Sequence, residues 1–197
     1  YSKDGKGKLI IDGYTFIADG VGIKDGEAKT FYIFNANGLN YIDNLGIKAG
    51  ETIKLGANID LTGVEFDGLS AFHPENNNTF DGQDYTISNW TNNSGNSDMG
   101  FFCKWVGTIK NVKFEDCHRQ TSARSAIVAA NTYCNIEYGT VKRCSIEHTY
   151  WACGIVAGLY NSGSVSNVTV TTSSVKSNGG TGGIVGVMNE SAGTRGF

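Results

Sequence analysis

Glu115 and Glu147 are the residues whose types and spacing come closest to chemistry in this chain. Each closes a short alternating strand, Lys113-Phe114-Glu115 in one copy of a repeated pattern and Ser145-Ile146-Glu147 in the next. Stacked as neighbouring rungs, the two carboxyls would stand about 4.8 Å apart. That is close to the ~5 Å at which a retaining glycosidase holds its acid and its nucleophile. Asp116 and His148 share the following position, with His118 and Arg119 nearby. The plainer reading makes both glutamates solvated ends of outward-facing strands, relieved by Lys113, Lys142 and Arg143. On that reading the chain is expected to have no catalytic residue, and Glu115 with Glu147 remains the alternative.

Aromatics give a second kind of site. Trp90, Trp105, Tyr150 and Trp151 fall in or beside expected turns rather than in the repeated apolar positions. Exposed rings there could stack on sugar faces, so these four are the expected ligand-binding residues. The competing role is to plug gaps where loops leave the core. A third idea, ice binding by a flat Thr face, rests on Val168-Thr169-Val170-Thr171-Thr172 alone, and the charged residues expected beside it argue against it.

Other chemistry finds little footing. His73, His118 and His148 are scattered, and neither a calcium-loop spacing nor a Cys-x-x-Cys pair occurs, so no metal and no cofactor is expected. Five cysteines cannot all pair within one chain. Cys103 and Cys144 fall at expected interior positions as small hydrophobes, whereas Cys117 and Cys134 lie in connecting segments, where pairing stays open. A net charge of −3 without a basic, aromatic-rich patch excludes nucleic acid as the expected partner. No apolar run approaches the ~20 residues that cross a bilayer.

The element that must position any site is a repeat. A small residue and two apolar ones open each copy, at Gly100-Phe101-Phe102, Ala126-Ile127-Val128, Gly154-Ile155-Val156 and Gly183-Ile184-Val185, spaced 26, 28 and 29 residues apart. A Gly-Thr/Ser step at Gly107, Gly139 and Gly163 then leads into an alternating strand. Such a period marks a solenoid. Aligning these steps stacks Ile109, Val141 and Val165, then Val112, Cys144 and Val168, then Phe114, Ile146 and Val170. Asn111, Arg143 and Asn167 take the bend between columns, and the three glycines are expected at positive φ.

Upstream, Leu9, Ile11, Phe16 and Ile17 flank Asp12-Gly13 as a hairpin. Phe31–Phe34 reads as a buried strand. Asn35 to Gly46 reads as a short helix, capped by Asn35 or Asn37, with Leu39, Ile42 and Leu45 on its buried face. Strands follow at Ile53–Leu55, Asn58–Leu61 and Val64–Phe66, and Phe80, Tyr85, Ile87 and Trp90 are core candidates. The expectation is an all-β chain: a right-handed parallel β-helix over residues 51–197, repeats from about 100, behind an N-terminal cap of strands and one helix over residues 1–50. The shortened fourth copy suggests continuation beyond Phe197.

The run Gly154-Ile155-Val156-Ala157-Gly158, Asn161, Gly163-Ser164-Val165-Ser166-Asn167-Val168 resembles the GLUG motif of bacterial surface proteins. Gly50–Leu55, Asn58–Leu61 and Phe80–Asn89 resemble the lead-in of that family, so the likeness spans roughly residues 31–197. Arg143 and Ala126 depart from the pattern. The resemblance implies a parallel β-helix, an extracellular or cell-surface address and an adhesin or structural role, with a host glycan or extracellular protein as partner. It implies no catalytic residue, because the motif positions are structural. The runner-up is a carbohydrate-active β-helix enzyme.

Overall fold

A computed structural model describes residues 2–3, 9–71, 77–93, 99–121, 124–148, 153–178 and 180–188. Leu9–Ile11 and Tyr14–Ala18 pair antiparallel around Asp12-Gly13, whose φ angles of 49° and 81° match the twist of the flanking strands. Val21–Ile23 continues this antiparallel run to Thr30–Ile33. There the pairing turns parallel, Thr30–Ile33 onto Thr52–Leu55. A parallel step needs a long crossover, and the helix Ala36–Leu45 supplies it. Asn35 caps the helix by accepting from the Gly38 N–H at 2.9 Å, and Gly46 ends it at φ 76°. Leu39 and Ile42 face the core, but Leu45, expected on the same face, is 48% exposed.

From there the chain coils as a β-solenoid of about four turns. The long sheet stacks Thr52–Leu55, Asn78–Asp81, Phe102–Lys110, Ala129–Glu137 and Ala157–Ser166, ending at Val185–Met188. A middle sheet stacks Ile59–Asp60, Thr86–Ser88, Lys113–Glu115, Thr140–Lys142 and Thr169–Thr171. A short sheet stacks Thr91–Asn92, His118–Thr121, Ser145–His148 and Ser174–Lys176. Val64–Phe66, expected as a strand, is a loop that nonetheless buries Phe66.

Three interior columns hold the coils together. Phe31, Ile53, Phe80, Ile109, Ile136 and Val165 stack in the long sheet. Ile59, Ile87, Phe114, Val141 and Val170 stack in the middle sheet. Asn92, Arg119, Ile146 and Val175 stack in the short one. Each fully buried aliphatic or aromatic side chain contributes about 1.5–3 kcal/mol. No rung could bury its face alone.

This register corrects the alignment expected from the sequence. Gly107 pairs with Cys134 and Cys134 with Gly163, so the second copy starts its step at Cys134 and not at Gly139. Gly139-Thr140 belongs one strand later: Gly139 sits between Val112 and Val168, and Thr140 pairs with Lys113 and Thr169. Ile109 therefore stacks on Ile136 rather than Val141, and Phe114 on Val141 rather than Ile146. Gly107 and Gly163 do take positive φ, 125° and 109°, and a Cβ there would collide with the carbonyls of Asn78 and Cys134. Gly139 has no such constraint.

The corners are left-handed residues other than glycine. One corner column is Asn111, Tyr138 and Asn167, at φ 52°, 53° and 52°. The next is Asn89, Asp116, Arg143 and Thr172, at φ 58°, 52°, 52° and 49°. Arg143 thus occupies the second corner, not the bend shared with Asn111 and Asn167. Asn tolerates this conformation by bonding locally. Here the corner side chains also reach an aspartate of the preceding coil: Asn89 Nδ2 to Asp60 Oδ1 at 2.9 Å, Asn111 Nδ2 to Asp81 Oδ1 at 3.0 Å, and Arg143 Nε to Asp116 Oδ1 at 2.8 Å.

Candidate functional site

The tryptophans expected to display themselves are interior. Trp90 and Trp105 are both 0% exposed. Trp90 donates its indole N–H to the Phe66 carbonyl at 2.8 Å and meets Phe101 edge-on, with ring centres 5.6 Å apart. Trp105 packs edge-on against Phe102 and Phe80. Its Nε1 meets no acceptor among the described residues. Both rings belong to an aromatic cluster centred on Phe101, which also gathers Phe66 and Phe114. They fill wide rungs of the core and cannot stack on a sugar from this position, which corrects the expectation for these two. Tyr150 and Trp151 lie outside the described residues.

The two glutamates are not stacked. Glu115 belongs to the middle sheet, between Ser88 and Lys142, whereas Glu147 belongs to the short sheet, between Gln120 and Lys176. The corrected register puts them in different ladders, so the stacking from which the glycosidase spacing was expected is not formed. Glu115 instead pairs with Lys142 Nζ at 3.4 Å and Arg143 Nη2 at 3.2 Å. Arg143 also grips Asp116 with two hydrogen bonds, and this holds the Asp116 carboxyl below its usual range. Such a cluster ties two coils together on the outer face.

Two arrangements escaped sequence reasoning. His118 Nδ1 and Ser145 Oγ share a hydrogen bond of 2.8 Å on neighbouring rungs of the short sheet. A nucleophile beside a base is the first half of an acyl-transfer site. Here His118 is exposed on a sheet face, within the outward column Thr91, His118, Ser145 and Ser174. A ladder bond between coils accounts for it. Neither residue stands in a known motif, so only the register could have paired them.

The second is a thiol stack. The Cys117 N–H donates to Cys144 Sγ at 3.4 Å, and the Cys144 N–H donates to Ser173 Oγ at 3.1 Å. Each of these side chains also bonds the carbonyl two residues back, on Glu115, Lys142 and Thr171. Cys117 and Cys144 are buried and free, and Cys117 is therefore stacked rather than lying in an open connector. The hydrogen bond with Cys144, together with burial, pushes the Cys117 thiol up. Cys134 is likewise free and buried, its thiol pushed up to about 12 by desolvation. Cys103 is half-buried, at about 11 for the same main reason. Thiols so protonated are poor nucleophiles and poor metal ligands. Among the described residues no cluster of His, Cys, Asp and Glu could hold a metal ion.

One concavity has the chemistry of a polar ligand. It lies between the helix and the first rung of the short sheet, with a volume near 470 Å³. Asn40, Asp43 and Asn44 line it from the helix, Glu65, Phe66 and Asp67 from the loop, and Thr91, Asn92 and Asn93 from the rung. The local folding explains the convergence. Asn92 is 5% exposed and donates to the Phe66 carbonyl at 3.2 Å and to Asp67 Oδ1 at 3.1 Å, which fastens the loop to the rung. Behind Asn92, in the same column, Arg119 is 2% exposed. Its Nη1 reaches the Asn92 carbonyl at 3.4 Å, and its Nε donates to Ser125 Oγ at 2.9 Å.

A scan against family models finds no match, and neither does a search of curated proteins. Among solved structures the chain is similar to a putative immunoglobulin A1 protease from Bacteroides ovatus, at 19% identity and a TM-score of 0.52. The likeness covers 84% of this chain and 64% of that one, so the chain spans less than two thirds of that structure's length. At this identity the likeness is one of fold. The class defined by register and neighbour alike is a parallel β-solenoid. No helix among the described residues is long and apolar enough to cross a membrane.

Proposed function

We propose that the chain is a non-enzymatic binding module of an extracellular or surface-exposed protein, an adhesin-like β-solenoid whose partner is a glycan or an extracellular protein. One observation carries this reading. The interior of the long and middle sheets repeats apolar residues, while the outward columns of the middle sheet mix charged residues with hydroxyl ones. Thr86, Lys113, Thr140 and Thr169 form one such column; Ser88, Glu115, Lys142 and Thr171 form another. A frame that is constant inside and varied outside is suited to displaying a specific surface. In the middle sheet the same charges break up the flat Thr face that ice binding needs. The resemblance of Gly154–Val168 to the GLUG motif supports the surface address.

The neighbour's printed name raises a proteolytic alternative, and β-helix enzymes raise a saccharide-cleaving one through Glu115 or Glu147. Neither gains from the site geometry: the glutamates lie on different sheets, and Ser145 with His118 lies on an exposed strand face. An array of glycans and extracellular matrix proteins tests the binding reading, with dose-dependent binding to at least one as the expected result. Silence across the array, or turnover of a polysaccharide that Glu147→Gln abolishes, would overturn it.

A further inference from the structure

We infer that the cleft between the helix and the first rung of the short sheet binds a neutral saccharide through its hydroxyl groups. This rests on the binding-module reading and gives it a place and a ligand class. The lining is the first argument. Asn40, Asn44, Asn93 and Thr91 can each donate and accept, and Asp43, Glu65 and Asp67 accept. Sugar hydroxyls do both, and vicinal pairs match an amide set beside a carboxylate. A volume near 470 Å³ lies within the ~300–1,000 Å³ of small-molecule sites.

Preorganisation is the second argument. Asn92 holds Asp67 from below, and Asn44 Nδ2 is tied to the Asn40 carbonyl at 2.8 Å. Two walls are therefore set before a ligand arrives, which lowers the ordering cost of binding. Charge settles the class. The lining holds carboxylates and no basic side chain, the Arg119 guanidinium lying behind Asn92. This balance disfavours acidic sugars and phosphates, since like charges at short range repel. The carboxylates are also spread over helix and loop and form no metal-binding cluster with other described residues, which favours a hydroxyl-rich ligand over a bare cation.

Calorimetry and saturation-transfer NMR test the inference, with neutral trisaccharides of glucose, mannose, galactose and N-acetylglucosamine, a sialylated trisaccharide, and calcium chloride alone as probes. The protein is used as the full chain and as Glu65→Gln and Asn93→Ala, both at exposed positions, with folding checked by circular dichroism. At least one neutral probe is expected to bind, and each variant to weaken it roughly tenfold, the loss of one hydrogen bond to a charged or well-placed group. Neutral binding untouched by either variant overturns the cleft but leaves the module reading standing. Preference for the sialylated probe overturns it, as does calcium binding that the variants abolish. No binding by any probe overturns the saccharide inference and leaves the module reading to the protein arm of the array.

Discussion

Two interior columns of one solenoid follow opposite rules. The long-sheet column reads Phe31, Ile53, Phe80, Ile109, Ile136 and Val165, apolar at every rung. The short-sheet column reads Asn92, Arg119, Ile146 and Val175, polar for two rungs before it turns apolar. Both face inward, and Asn92 and Arg119 are as buried as their aliphatic counterparts. The difference lies in what each column must hold. The long-sheet column fills the core between coils, whereas in the short sheet Asn92 also fastens the loop carrying Phe66 and Asp67, and Arg119 braces Asn92 through its carbonyl. A buried amide and guanidinium do that by hydrogen bonding to backbone and side chains that an aliphatic residue could not satisfy.

The comparison can be pressed hardest in the long sheet. Phe80→Ala removes a ring that meets Phe101, Phe102 and Trp105 and should cost about 3–5 kcal/mol in urea denaturation. A much smaller loss would mean that the column does not bear the stack. In the short sheet the chemistry of the replacement should matter more than its size. Arg119→Ala leaves Ser125 and Asn92 short of a donor beside a cavity and should cost about 3 kcal/mol. Arg119→Met fills the volume without the charge and should be nearly neutral in stability, yet loosen the loop at Asp67, read by hydrogen exchange of the 64–67 amides. Equal losses for the two replacements would erase the distinction between the columns. The gentlest probe lies in the column of Val112, Gly139 and Val168. A Cβ at Gly139 meets nothing nearer than 3.6 Å, so Gly139→Ala should raise stability by roughly 0.4–1 kcal/mol. A loss in thermal melting would contradict the register assigned to the second coil.

Local signals were readable wherever one residue decides the backbone. Asp12-Gly13 announces its hairpin, Asn35 its helix cap, and Gly107 and Gly163 their positive φ. The apolar pairs Phe101-Phe102, Ile127-Val128 and Ile155-Val156 are buried, as their period implies, whereas Ile184 of the fourth copy is 42% exposed. What misled was a likeness of letters. Gly139-Thr140 imitates Gly107-Thr108, but coil length is set by pairing. Counted along the rungs, Ile109, Ile136 and Val165 keep the same offsets as Phe114, Val141 and Val170, and Cys134 falls where Gly107 and Gly163 stand. That slip placed Glu147 over Glu115 and hid the contact of His118 with Ser145. The cleft was hidden for a different reason: its walls come from a helix, a loop and a strand that only the crossover brings together. Trp90 is the core residue its strand pattern implies and not a displayed one, because proximity to a turn says little about direction in a solenoid; Trp105 stands not at a turn but within the strand Phe102–Lys110.

The parallel register also governs how the molecule would bear load. Backbone hydrogen bonds between rungs run along the stack, from Thr52–Leu55 through to Val185–Met188. Tension along that direction stretches each bond lengthwise and opens the rungs one after another from an end, as a zipper opens. Force across the stack instead loads every bond of a rung at once, in shear, and meets far greater resistance. A protein tethered by its flank would therefore hold against flow, and one pulled from its two tips would pay out slowly, coil by coil.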